Sequence, residues 1–222
     1  MKLGFFSFVS RYTIVPLVRF FLVKEVNGYE NMPKSNFILV SNHSSYLDLY
    51  INGGLCTPKR FHFIGQVDTW KGLKGILVRM YYRMASVISI DRSSKNSKKE
   101  AVEKAVEVLN NGEILIIYPE GRRSRDGKIQ QGRPGTARIF LKTGIPIVPV
   151  GIIGAFELMP PHKKFPKIKK NIRVNIGKPF YFEKELAEAG NLDEDSLRHR
   201  EIVSQITAKI MDAIRNLAGQ GR

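Results

Sequence analysis

The sequence predicts an α/β domain whose mixed, largely parallel sheet is flanked by helices and preceded by an apolar N-terminal helical segment. Three observations carry that expectation. Apolar runs of strand length recur along the chain, segments of helical period separate them, and no internal repeat or low-complexity linker divides the 222 residues. Hydrophobic residues make up 43% and charged residues 25%, which excludes a largely disordered chain.

The N-terminal segment, residues 3–23, is mostly apolar and lacks acids, but Arg11 and Arg19 interrupt it. A spanning helix needs ~20 predominantly apolar residues, and a charge near its middle costs at least ~2.5 kcal/mol. One complete span therefore fits poorly. A signal peptide fits no better, because no uncharged core leads to a small-residue cleavage site. Aromatic residues (Phe5, Phe6, Phe8, Tyr12, Phe20, Phe21) with two arginines able to snorkel suit a helix at the membrane interface; a core helix is the alternative. Residues 1–24 are expected to form this interfacial segment and residues 25–222 the α/β domain.

Strands are expected at Phe37–Ser41, Phe61–Gly65, Val87–Asp91, Ile114–Tyr118, Pro146–Ile153 and Ile172–Ile176, the fifth with its prolines near its start or on an edge. The clearest helix follows the third strand: Ser97 and Glu100 form a capping box, Val102, Ala105, Val106 and Leu109 share a face, and Asn111-Gly112 ends it. Residues Lys71–Met84, Thr136–Thr143 and Ser196–Leu217 are further helical segments.

Charge narrows the partners. Lys and Arg number 36 against 20 Asp and Glu, a formal charge of +16. Residues 183–201 hold seven of the acids and three bases, which leaves +20 over the rest. Gly121–Lys142 has seven bases and one acid; Met159–Arg173 has six bases and no acid. Such concentrations face nucleic acid, a membrane surface or a phosphorylated ligand. The single cysteine, Cys56, excludes an internal disulfide, and the four histidines show no zinc-ligand spacing.

In parallel sheets the reactive loops follow the carboxyl ends of strands. The first strand runs into Asn42-His43-Ser44-Ser45-Tyr46-Leu47-Asp48. The spacing lets the Asp48 carboxylate fold back onto the His43 imidazole, fixing its tautomer while the other ring nitrogen takes a proton. A capping aspartate beside a structural histidine is the bland alternative. A serine nucleophile would need the G-x-S-x-G elbow, which is absent. The fourth strand ends in Pro119-Glu120-Gly121-Arg122-Arg123-Ser124, where glycine admits a ligand close to the backbone and an arginine fork matches phosphate. The third strand ends at Asp91-Arg92, offering one more cation at what reads as the same edge.

These blocks resemble the glycerolipid acyltransferase superfamily, most closely the bacterial 1-acyl-glycerol-3-phosphate (lysophosphatidate) acyltransferases of the PlsC type. Asn42-His43 to Asp48 is similar to the family's N-H-x4-D block, and Ile88–Arg92 to its second. Pro119–Ser124 is similar to its P-E-G-T-R-S block, and Ile145–Val150 to its apolar, proline-containing fourth. Arg122 stands where that pattern has threonine, and Ala85-Ser86 where a glycine is common. The resemblance implies that His43, held by Asp48, deprotonates the acceptor hydroxyl. It implies that Arg92 and Arg123 bind the phosphate with Arg122 as a third cation. Glu120, at the Gly121 turn, would accept a hydrogen bond from the acceptor. It further implies direct attack on an acyl thioester of coenzyme A or acyl carrier protein, with no metal or other cofactor. The setting implied is peripheral or monotopic, on the cytoplasmic face of a bacterial membrane and against anionic phospholipid. Competing readings are another lyso-acceptor (glycerol-3-phosphate, a lysophospholipid or a lyso-aminolipid), a non-catalytic lipid-binding protein, and a nucleic-acid binder. No nucleic-acid motif accompanies the charge, so nucleic acid is not expected as a partner.

Overall fold

The computed structural model describes residues 11–66, 72–73, 75–77, 80, 86–91 and 94–221. In chain order the elements are α1 (Ile14–Phe21), β1 (Val23–Asn27), β2 (Ile38–Ser41), α2 (Leu47–Cys56), β3 (Phe61–Gln66), β4 (Val87–Ile90), α3 (Lys95–Asn110) and β5 (Ile114–Ile117). They continue as α4 (Gly135–Thr143), β6 (Ile147–Ile153), α5 (Ala155–Leu158), β7 (Ile172–Ile176), α6 (Glu183–Ala189) and α7 (Leu197–Leu217). Of the helical segment expected at 71–84, residues 72–73, 75–77 and 80 are helical and the others lie outside the described residues.

The seven strands form one sheet in the order β1-β7-β6-β2-β5-β3-β4. Only the β6–β7 pair is antiparallel; the other five pairs are parallel. All six expected strands are present. The short apolar runs are explained by burial on both faces, as parallel sheets require. Along β2, Leu39 belongs to one apolar layer and Ile38 and Val40 to the other; along β5, Ile114 and Ile116 alternate likewise with Leu115 and Ile117. The first layer packs against α1 and α2 through Val18, Leu22, Leu47, Ile51 and Leu55. The second packs against α3, α4 and α7, whose Ala101, Ala105, Phe140, Ile206 and Ile210 are fully or nearly fully buried. Pro149 stands inside β6, one residue before the ladder to β7 begins at Val150, so its missing N–H interrupts no bond of that ladder.

Several expectations need correction. β1 was not expected as a strand: it pairs with β7 from Val23 onward, so the boundary drawn between residues 24 and 25 falls inside the sheet. The cap of α3 is Ser94, whose hydroxyl accepts from Ser97 N–H; the Ser97 hydroxyl accepts from Asp91 N–H instead. Arg11 does not snorkel outward. Its Nη2 donates to the Lys59 carbonyl at 2.7 Å, and it is buried at the domain surface, whereas Arg19 is exposed. The apolar residues of this segment divide between the core and the surface. Val18 and Leu22 pack into the domain, while Tyr12, Leu17, Phe20 and Phe21 stay exposed. Among the described residues, no helix is long and apolar enough to cross a membrane.

One strained position precedes β4. Ser86, before β4, has φ +57°, a left-handed conformation that glycine adopts without cost and serine does not.

Candidate active site

Adjacent parallel strands place their carboxyl ends side by side. Val40 of β2 is level with Ile117 of β5, so the chain emerging at Asn42-His43 lies beside that emerging at Tyr118-Pro119-Glu120. Asn42 fixes the exit of β2. Its side chain donates to the Ile152 carbonyl at 2.9 Å and accepts from Ile152 N–H at 2.8 Å, clamping the loop to β6.

Asp48 opens α2 and turns back to His43. His43 Nδ1 lies 3.0 Å from Asp48 Oδ2, and the same oxygen accepts from Ser44 N–H at 2.7 Å and Ser45 N–H at 2.8 Å. The carboxylate is fully buried while the His43 side chain is 14% exposed. An acceptor oxygen at Nδ1 makes Nδ1 the protonated nitrogen and leaves the Nε2 lone pair as the basic site. The imidazole also stacks on Tyr118, ring centroids 4.0 Å apart and planes 16° from parallel. Asn52 Nδ2 donates to the Tyr118 hydroxyl at 3.2 Å. Burial, and then the Asp48 charge, push the Tyr118 phenol well above its ordinary range, so it stays neutral; the Asn52 bond opposes this.

The two loops are laced through the His43 main chain. His43 N–H donates to Glu120 Oε1 at 2.8 Å, and its carbonyl accepts from Ser124 N–H at 2.7 Å. The other Glu120 oxygen accepts from Gln130 N–H at 2.8 Å. Glu120 is only 3% exposed, and burial raises its carboxyl to about 7 against the lowering effect of those two N–H donors. Glu120 braces the site: both of its oxygens are engaged by the chain's own backbone. Gly121 has φ +72° and makes the turn that follows, its N–H donating to the Tyr118 carbonyl.

The cations separate. Arg123 lies over Tyr46, its guanidinium carbon 3.6 Å from the ring centroid, with Nη1 buried and unpartnered. Arg122 is exposed. Arg92 lies outside the described residues, and β4, which leads to it, is separated from β5 by β3. The third strand end is therefore no immediate neighbour of the other two. Ser45 is closed to nucleophilic work, since its hydroxyl donates to the Met159 carbonyl and accepts from Leu47 N–H. Among the described residues, no group of three His, Cys, Asp or Glu side chains is placed to hold a metal. Sequence reasoning missed Tyr118, Asn52, Asn42 and Tyr46 as members of the site. An aromatic residue at a strand end beside the histidine loop was the available signal.

Comparison with known proteins places the chain in a family. The chain is 30% identical over 164 residues to the chloroplastic 1-acyl-sn-glycerol-3-phosphate acyltransferase BAT2 of Brassica napus, covering 72% of this chain and 46% of that protein. It is 33% identical over 128 residues to the 1-acyl-sn-glycerol-3-phosphate acyltransferase of Borreliella burgdorferi, covering 56% and 49%. The chain thus spans about half the length of the curated relatives it matches. In structure it is similar to PlsC, the 1-acyl-sn-glycerophosphate acyltransferase of Thermotoga maritima, with a TM-score of 0.58 and 27% identity over 91% of this chain and 81% of that one. The family model described as Acyltransferase matches residues 24–153, a span that runs from β1 through β6 and holds His43, Asp48 and the Glu120 loop. By that match the chain belongs to the acyltransferase family.

Proposed function

We propose that this protein transfers a fatty acyl group from an acyl thioester to the free hydroxyl of 1-acyl-glycerol-3-phosphate, giving phosphatidate. The observation that carries the reading is the buried Asp48 carboxylate 3.0 Å from His43 Nδ1, which orients the imidazole with Nε2 as its basic nitrogen. Nε2 accepts the hydroxyl proton as the acceptor oxygen attacks the thioester carbonyl carbon. The tetrahedral adduct collapses with cleavage of the carbon–sulfur bond, and the imidazolium returns the proton to the thiolate of coenzyme A or acyl carrier protein. Asp48 stabilises the imidazolium between those steps. Arg123 holds the acceptor phosphate: its unpartnered Nη1 is a buried donor lacking an acceptor, which an anionic oxygen would supply. The exposed Arg122 adds positive charge toward the same phosphate.

The acceptor carries one long chain and resides in a bilayer, so the protein works at a membrane surface, on the cytoplasmic face, with the exposed aromatics of α1 toward lipid. The test offers purified protein a panel of lyso-acceptors with both thioester donors and identifies products by mass. Phosphatidate should form, and His43→Ala should lose ~10²–10⁴-fold in turnover. A His43→Ala protein turning over near the parent rate would remove the mechanism.

A further inference from the structure

The irregular segment 160–171 between α5 and β7 carries the two most exposed large apolar side chains among the described residues, Phe165 at 83% and Ile168 at 82%. Single exposed apolar residues are ordinary. These two are set among Lys163, Lys164, Lys167, Lys169 and Lys170 with no acid between Met159 and Arg173. Apolar tips ringed by cations match a bilayer surface rich in anionic lipid: the tips enter the headgroup–acyl boundary and the ammonium groups meet phosphates.

The segment is also fixed where such a contact would matter. At one end the Met159 carbonyl accepts the Ser45 hydroxyl at 2.7 Å, two residues from His43, and Lys167 N–H donates to the Leu158 carbonyl at 2.9 Å. At the other end Asn171 N–H and Ile172 N–H both donate to the Leu22 carbonyl at the end of α1, at 3.1 and 2.9 Å. Lys170 Nζ sits 5.7 Å from the ring centroid of exposed Phe20. The segment therefore bridges the histidine loop and the aromatic end of α1, continuous with the surface that α1 exposes. We propose that residues 160–171 form a second membrane-insertion element, Phe165 and Ile168 entering an anionic bilayer and holding the His43 loop at the depth of the acceptor hydroxyl. This inference rests on the reading of α1 as the lipid-facing helix.

Cys56 is buried, so an introduced surface thiol can be labelled selectively. Phe165→Cys and, separately, Leu17→Cys would carry an environment-sensitive fluorophore. Each would be titrated with vesicles of equal phosphatidylglycerol and phosphatidylcholine, with and without brominated chains. Both labels should brighten and be quenched by bromolipid. Phe165→Ser/Ile168→Ser should weaken vesicle binding about tenfold or more while turnover of a short-chain, water-soluble acceptor stays at the parent level. A silent label at 165 with a responsive one at 17 would overturn the insertion element and leave the α1 reading standing. Silence at both would overturn both. Equal loss of vesicle binding and of short-chain turnover in the serine variant would also overturn the proposal, because the loop would then serve the site rather than the bilayer.

Discussion

His43 is held by its ring and by both main-chain polar groups, its carbonyl by Ser124 N–H and its own N–H by Glu120. The two Glu120 oxygens both receive backbone N–H donors, so Glu120→Gln must turn an amide N–H₂ toward one of them. Leaving that donor unmet should cost about 1–3 kcal/mol in denaturant unfolding. The pH dependence has a definite sign. Glu120 binds its proton more tightly folded than unfolded, so its contribution is full below the ordinary carboxylate range and is lost as pH rises to about 7. The stability gap between parent and Glu120→Gln should accordingly be wider at pH 5 than at pH 8. Arg123 is expected to behave differently. Arg123→Ala should raise KM for a phosphorylated acceptor about ten- to hundredfold in steady-state assays, with little change in stability. Arg123→Lys should rescue it only in part, because an ammonium has neither the planar face set over Tyr46 nor a fork. The pairing of His43 with Asp48 was legible in the sequence because the two partners lie five residues apart at a strand end. The bracing role of Glu120 and the stack on Tyr118 were not, since both depend on which strand neighbours which.

At the scale of elements, β2, β5 and β6 were legible from apolar runs because burial on both faces writes a continuous signal, and β7 from its alternation of buried and exposed residues. β1 escaped because it is an edge strand, Val-Lys-Glu-Val-Asn, with polar residues at its centre and a partner far along the chain. The cap of α3 was misplaced by three residues because Ser94 and Ser97 stand one turn apart, and only the hydroxyl contacts distinguish them. α6 was hidden inside the acid-rich stretch 183–201, which reads first as charge. Ser86 offers a direct test at this scale. Its left-handed φ has no need of a side chain, so Ser86→Gly should stabilise the protein by about 1 kcal/mol, read as a shift in denaturant midpoint. Elsewhere glycine is compelled by contact: a Cβ on Gly151 of β6 would lie 2.3 Å from the Leu217 backbone at the end of α7.

Over the whole molecule, the proposed lipid-facing surface and the folded core draw on the same N-terminal residues. Deleting residues 1–24 removes buried Val18, Leu22 and Val23 together with the start of β1, each side chain worth ~1.5–3 kcal/mol. The truncated protein should therefore melt well below the parent in calorimetry, whatever it does on vesicles. Leu17→Ser/Phe20→Ser, confined to exposed positions, should leave the melting temperature unchanged and weaken vesicle sedimentation.

The pairing of β1 with β7 has a consequence in time. Asn27 and Asn175, side by side across that pair, are 148 residues apart in the chain. During synthesis at ~5–20 residues per second, the first edge strand waits roughly 7 to 30 s for its partner to emerge from the ribosome. Through that interval the aromatic helix before it has no completed sheet to dock on. On the proposed lipid-facing role of α1, a nearby bilayer surface would bury it first, so capture by the membrane and closure of the sheet would compete on the nascent chain.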